Sequence, residues 1–258
     1  MDLGISGLRV MISAGAAGIG LGIARAFARE GARVHLCDVD DVALAALAQT
    51  DPGLTWTRGD VASRSDVSRF FEEGLARLGG LDCLVNNAGI AGPTGRVEDI
   101  DPEAWDRCLA IDLTGQFNCV RLAVPPLRQS ENASIMNVSS LAGRLGFPMR
   151  TPYAAAKWGV IGLMRSLAME LGPDRIRVNA LLPGIVAGER QQRVLDAKAK
   201  ARGLSFADME RLAFSYTSLK EYVTPEQLAD LVVFVASPRG RMISGQALSV
   251  CGDTGMLG

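Results

Sequence analysis

Tyr153 and Lys157 stand four residues apart in the run Tyr-Ala-Ala-Ala-Lys. On a helix that spacing puts the phenol and the ammonium on one face, a turn apart. A phenol is a poor base at neutral pH, and a neighbouring cation favours its ionised form. A tyrosine so placed can take the proton from an alcohol while a hydride leaves the same carbon. The chain has three tyrosines, so the spacing seldom arises by chance, yet it recurs at Tyr216-Thr-Ser-Leu-Lys220. Context separates the two copies. Tyr153 comes thirteen residues after Ser140, at the end of an apolar run closing in Ser139-Ser140, whereas the second copy sits in an irregular stretch and is read as a surface feature.

A second set of residues suits a nucleotide. After the first apolar run comes Ser13-Ala14-Gly15-Ala16-Ala17-Gly18-Ile19-Gly20, then a helical pattern. Glycines between a strand and a helix let the backbone approach a pyrophosphate, whose charge the helix N-terminus favours. Ser13, Gly15, Ala17, Gly18, Ile19 and Gly20 are the candidate contacts. Asp38 ends the second strand, 18 residues after Gly20. Its carboxylate can accept hydrogen bonds from a ribose diol and would repel a 2′-phosphate, and neither Ala17 nor Val39 is basic. NAD is therefore expected over NADP.

Composition removes other classes. The net charge is −1 with no basic run, so no nucleic-acid partner is expected. One histidine, His35, lies in an apolar stretch, which excludes a His-rich metal centre and disfavours Ser-His-Asp hydrolysis; no metal site is expected. Five widely spaced cysteines without a Cys-x-x-Cys read as small buried hydrophobes in a reducing compartment. Neither a secretory leader nor a membrane span is seen, and a cytoplasmic location is expected.

The elements that must position these groups follow from periodicity. Short apolar runs at 8–12, 33–37, 54–57, 83–85, 134–138, 177–182 and 247–250 read as strands. Helical patterns fall at 22–30, 41–49, 63–78, 102–127 and 153–171. Uninterrupted apolar strands alternating with helices imply a doubly wound parallel sheet with both faces covered, a Rossmann-type α/β fold of about seven strands. Residues 1–258 read as one domain. Residues 187–222 break the rhythm with a local positive excess and read as a lid over the substrate or a pair of surface helices.

Taken in order, the motifs resemble the short-chain dehydrogenase/reductase family over essentially the whole chain. The set comprises the glycine turn, Asp38, Asp60-Val61, Asn86-Asn87-Ala88-Gly89, Asn137-Val138-Ser139-Ser140, Tyr153/Lys157, Pro183-Gly184 and Ser244-Gly245-Gln246. The resemblance implies that Asp60 and Val61 flank an adenine and that Asn87, Ala88 and Gly89 line the cofactor. Ser140 would hydrogen-bond the substrate oxygen, and Tyr153 would be the acid/base. Lys157 would hold the nicotinamide ribose, with Pro183, Gly184 and Val186 supporting the nicotinamide. A homotetramer built on the helices at 102–127 and 153–171 is also implied.

Four positions depart from the family pattern. Ala14 replaces a glycine, and its methyl implies an ordinary φ. Asp112 replaces a catalytic asparagine and is expected to pair with the Lys157 ammonium, weakening its effect on Tyr153. Gly188 replaces a threonine that contacts the nicotinamide amide. Cys251 replaces an aspartate, read as a structural change.

The leading function is NAD-dependent oxidation of a secondary alcohol of polyol, sugar or hydroxy-acid type, or reduction of its ketone. Alternatives are an NADP-dependent ketone reductase such as a 3-oxoacyl reductase, a non-catalytic nucleotide sensor, and dehydration, epimerisation or dehalogenation on the same fold. Arg144, Arg150, Arg190 and Arg193 would suit an anionic substrate, though ordinary surface arginines are the preferred reading. Phe147, Met149, Phe206, Phe214 and Tyr216 can equally enclose a neutral one, and Trp158 reads as core.

Overall fold

The uninterrupted apolar runs form the middle of a parallel sheet. The computed structural model describes residues 2–257. Among these, the strands are β1 (Arg9–Ser13), β2 (Arg33–Asp38), β3 (Thr55–Arg58), β4 (Cys83–Asn86), β5 (Ser134–Val138), β6 (Arg177–Pro183) and β7 (Ala247–Val250). Their order is β3-β2-β1-β4-β5-β6-β7, and every neighbouring pair is parallel. All residues of β4, β5 and β6 are buried, as strands covered on both faces must be.

The helices are α1 (Gly18–Arg29), α2 (Asp41–Thr50), α3 (Arg64–Leu78), α4 (Pro102–Leu109), α5 (Gly115–Leu127), α6 (Thr151–Glu170), α7 (Glu189–Arg202), α8 (Phe206–Ser215) and α9 (Pro225–Ala236). One core joins Ile23 and Phe27 of α1, Leu44 and Leu47 of α2, and Leu228 and Val232 of α9 to the sheet. The other joins Val67 and Phe70 of α3, Val120 of α5 and Met164 of α6. Capping is local and legible: Asp40 accepts the N–H groups of Val42 and Ala43 to start α2, and Ser63 accepts that of Asp66 in α3.

Two features differ from the expectation. The helix expected over 102–127 is interrupted by a π turn, Ala110–Thr114, that carries the buried Asp112 inward. No element was expected between Tyr222 and Ala247, yet α9 lies there, opened by a capping box of Thr224 and Gln227 with Pro225 in its first turn. Residues 187–222, expected as a lid or a pair of surface helices, carry the two helices α7 and α8, packed on each other through Leu195, Ala199 and Met209.

Several residues without a part in the site are accounted for by burial. His35 is fully buried, its ring nitrogens bonded to the hydroxyls of Thr55 and Thr57, 2.9 and 3.1 Å away. Burial chiefly, with Arg77 assisting, lowers its pKa to about 4. Burial pushes the Cys108 thiol up to about 11 and that of Cys119 to about 12, which makes both unreactive. The second Tyr-x-x-x-Lys is a surface feature only at Lys220, an exposed ammonium that caps α8 by donating to the carbonyls of Phe214 and Ser215, whereas Tyr216 borders a large cavity.

Candidate active site

β1 neighbours both β2 and β4, so the chain direction across the sheet reverses there. Such a switch point opens a crevice at the carboxyl ends of the strands. A cavity of about 760 Å³ lies at that end, and its wall includes Asp38, Asn87, Ser140, Pro183 and Gly184. These follow or close β2, β4, β5 and β6.

Ala17, Gly18 and Ile19 form the wall after β1. Ala17 starts α1 without a side-chain cap, and the first turn holds no acid. Its N–H groups are therefore left for an anion, and the helix dipole favours one there. Gly18 has φ +53° with open space around it, and a Cβ on Gly20 would lie 2.1 Å from the Ala14 carbonyl oxygen. Asp38 accepts the N–H groups of Ala16 (3.0 Å) and Val39 (2.8 Å), which binds the strand end to the turn. An uncapped helix start, close backbone and a carboxylate at the strand end fit a dinucleotide.

Ala14 corrects an expectation. Its φ is +51°, in the left-handed region rather than the ordinary one. The cause is non-local: the Asn87 amide donates to the carbonyls of Ser13 (3.1 Å) and Ala14 (2.8 Å), and the Ala14 carbonyl must turn to meet it.

The catalytic candidates converge on the same cavity. Tyr153 and Lys157 share one face of α6, with the ammonium 5.5 Å from the tyrosine ring centre. Lys157 is buried; its Nζ donates to the Val138 carbonyl (3.2 Å) and ion-pairs with Asp112 Oδ2 (3.2 Å). An ammonium has three donors, and only the one to Val138 is spent in a hydrogen bond, which leaves donors for a ligand. Asp112 Oδ1 accepts the N–H of Ile90 at 2.7 Å, which fixes the carboxylate. The expected pairing of Asp112 with Lys157 is thus present, behind the cavity wall rather than in it. Gly89 lets this pair form, because a Cβ there would lie 3.1 Å from Lys157 Nζ and 3.2 Å from Asp112 Oδ2. Ser140 Oγ accepts the N–H of Ala142 (3.1 Å), leaving the hydroxyl proton to donate to a substrate oxygen.

Other expected site residues lie behind the wall. Ser13 Oγ accepts the N–H groups of Asn87 and Ala88, joining β1 to β4. Gly15 packs on Leu36, where a Cβ would be 2.7 Å away. Asp60 ion-pairs with Arg107 at 2.8 Å, and the carbonyl of the buried Val61 accepts from Asn118. Asp60 and Val61 stand outside the cavity lining, whereas Val186 is part of it. Gly188, which also lines the cavity, has φ +136° and precedes α7. Cys251 packs against Gly184, whose Cβ would meet the Cys251 backbone at 2.6 Å.

Two readings of the substrate end change. Trp158 is 51% exposed, not core, because α6 turns that face away from the sheet. Arg150 is not a surface arginine: it is 2% exposed and lines the cavity with Phe147, Tyr216 and Lys198. Arg144 is exposed. Sequence reasoning missed Lys198, and also Ser139, whose hydroxyl donates to the Lys157 carbonyl at 2.8 Å and ties β5 to α6.

A doubly wound sheet with a nucleotide-type turn and a serine, tyrosine and lysine at one cavity defines a dinucleotide-dependent oxidoreductase class. A family model described as enoyl-(acyl carrier protein) reductase matches residues 14–256. The D-beta-hydroxybutyrate dehydrogenase of Cupriavidus necator is 32% identical over 93% of this chain and 95% of its own. The cis-4-hydroxycyclohexanecarboxylate dehydrogenase of Sinomonas cyclohexanicum is 37% identical over 95% of each. The crystal structure of an actinorhodin polyketide ketoreductase variant with NADPH superimposes with TM-score 0.89 at 28% identity, over 95% of this chain and 96% of that one. The chain belongs to the short-chain dehydrogenase/reductase family and is an oxidoreductase with a nicotinamide cofactor. Among the described residues, no helix is long and apolar enough to cross a membrane.

Proposed function

We propose that the protein is an NAD-dependent dehydrogenase that interconverts a secondary alcohol and its ketone. The observation that carries this reading is the shared cavity of Ser140, Tyr153 and Lys157, with Lys157 held from behind by Asp112. Ser140 donates to the substrate oxygen, Tyr153 removes the hydroxyl proton in oxidation and returns it in reduction, and Lys157 orients the ribose and favours the ionised phenol. The bound dinucleotide supplies the hydride acceptor or donor. Ala17, Gly18 and Ile19 take the pyrophosphate, Asn87 and Gly89 the adjoining ribose, Pro183, Gly184 and Val186 the nicotinamide, and Asp60 and Val61 the adenine.

Asp38 supports NAD over NADP, because a 2′-phosphate would meet its carboxylate, and the neighbouring Val39 is exposed and uncharged. Residues 187–222 cover the substrate: α7 borders the cavity, and Arg190 donates to the Gly89 carbonyl at 2.9 Å. A homotetramer is supported by exposed Phe117 of α5 and Trp158 and Met169 of α6, since apolar side chains so placed suit a partner surface. Buried free cysteines agree with a cytoplasmic setting.

Tyr153→Phe tests the reading. Oxidation of any alcohol the native enzyme uses, followed by NADH absorbance, should fall by about 1000-fold, with NADH affinity retained. Turnover within tenfold of the native rate would remove the mechanism.

A further inference from the structure

Arg150 sits in the cavity in a state that a side chain seldom occupies without a ligand. It is 2% exposed, and its Nη2 donates to the Ala91 carbonyl. Its Nε and Nη1 have no hydrogen-bond partner among the described residues. The guanidinium carbon lies 5.2 Å from the ring centres of both Phe147 and Tyr153. Two aromatic faces offset part of the cost of burying a cation, but unsatisfied buried donors on a charged group are expensive. Lys198, 5% exposed, brings a second cation to the other contact of Phe147, with Nζ 4.2 Å from the ring centre. Burial lowers the pKa of Arg150, with Tyr153 opposing and Arg190 adding to the fall. Burial and Arg150 lower that of Lys198 to about 8. Arg150 has no ion-pair partner among the described residues.

We propose that Arg150 is the anchor of an anion subsite and that the physiological substrate is a short hydroxy acid, or its keto acid, whose carboxylate binds there while its carbinol faces Tyr153. The inference rests on the dehydrogenase reading above and names its substrate class. Arg150 stands one helical turn before the acid/base residue and against its ring, so charge and carbinol are only a few bonds apart. The shared chemistry is a small oxoanion; a carboxylate is favoured over a bulkier sulfonate because the guanidinium is enclosed by two rings and the Ala91 carbonyl. Oxidation itself is unchanged: the hydroxyl proton passes to Tyr153 and the hydride to NAD, while the anion only positions the carbinol.

Two measurements separate this idea from the reading beneath it. Binding of malonate and of neutral malonamide to the NADH-loaded protein, read by calorimetry, tests the subsite without turnover. Malonate should bind at least tenfold more tightly, and Arg150→Gln should erase the difference while Arg150→Lys keeps part of it. Turnover of 3-hydroxybutyrate, its amide and 3-hydroxybutanesulfonate tests substrate use. The acid should exceed the amide by about 100-fold in kcat/KM, as loss of a charge-assisted contact predicts, and should exceed the sulfonate as well. Arg150→Gln should lower the acid selectively. Equal binding of malonate and malonamide, or an Arg150→Gln loss shared equally by acid and amide, would overturn the subsite. A sulfonate preferred over the acid would overturn the carboxylate assignment. Malonate binding without oxidation of any alcohol would leave the subsite standing and sink the dehydrogenase reading instead.

Discussion

The Asp112–Lys157 pair offers a perturbation whose size can be worked from the structure. In Asp112→Asn the amide oxygen still accepts the Ile90 N–H, so the amide nitrogen faces the ammonium, donor to donor. Lys157 keeps one protein acceptor, the Val138 carbonyl, and its buried charge loses its counterion. Removing one partner of a buried pair costs about 3 kcal/mol at the lower end of measured values. For a chain of this length that is a fall of about 6 to 12 °C in Tm. The effect on chemistry has the opposite sign. The ammonium lies 5.5 Å from the Tyr153 ring centre, and the carboxylate lies one contact of 3.2 Å further back. With an effective dielectric constant of about 20, the ammonium attracts an ionised Tyr153 by roughly 3 kcal/mol. The carboxylate paired to that ammonium opposes this attraction. Without that repulsion the rising limb of the pH–rate profile for alcohol oxidation should move to lower pH. The assay is initial NADH formation from pH 6 to about 10 on native and Asp112→Asn enzyme, with Tm measured in parallel. Superimposed profiles would refute the electrostatic account, and an unchanged Tm would refute the stabilising pair.

Other perturbations bear on the turn, the cofactor and the core. Asp38→Asn keeps an accepting oxygen but removes the charge that repels a 2′-phosphate; the ratio of kcat/KM with NADP to that with NAD should rise at least about tenfold, and an unchanged ratio would displace Asp38 from that role. Ala14→Gly relieves a left-handed alanine and should raise stability by about 0.5 to 1 kcal/mol in urea unfolding; a decrease would show that the alanine is unstrained. His35, with its native pKa lowered to about 4, stays neutral while the unfolded chain takes up a proton below pH 6.5. Stability should therefore fall as pH drops from 6.5 to 4, by roughly 3 kcal/mol in all. His35→Gln should flatten that segment of the stability curve, and an equal slope in both proteins would contradict the linkage.

The parts of the site legible in the sequence are those set by local geometry. Tyr153 and Lys157 share a face because a helix repeats every 3.6 residues, and the strand ends at Asp38 and Ser140 follow from where apolar runs stop. What was illegible depends on distant partners. Ala14 takes a positive φ because of Asn87, 73 residues away. The π turn at Ala110–Thr114 places Asp112 against Ile90 and Lys157, contacts that no heptad pattern displays. Arg150 reads as a surface arginine because its enclosure depends on Phe147, the Ala91 carbonyl and the approach of α7. Helix α9 is a different case: Thr224, Pro225 and Gln227 are a readable start signal, and the apolar run after them continues at helical spacing.

The distribution of charge along the cavity ties these observations together. At the proposed dinucleotide end, Asp38 places a negative charge at the end of β2, which would favour a neutral diol over a phosphate. In the middle, Asp112 cancels much of the Lys157 charge from behind the wall, leaving an ammonium whose directional donor matters more than its field. At the far end, Arg150 has no such cancellation, and α7 adds Arg190, Arg193 and Lys198 to the lining against Glu189. A cavity neutralised at its centre and positive at its substrate end would hold the proposed anionic substrate by its tail without pulling the carboxylate onto Lys157. The unusual aspartate and the buried arginine are then parts of one arrangement: with asparagine at 112, an uncancelled Lys157 would compete with Arg150 for the same carboxylate. It follows that Asp112→Asn should weaken discrimination between a hydroxy acid and its amide, through unproductive binding of the acid, even though it shifts the pH profile in the favourable direction. Equal acid-to-amide ratios of kcat/KM in native and Asp112→Asn enzyme would show that the two ends of the cavity act independently.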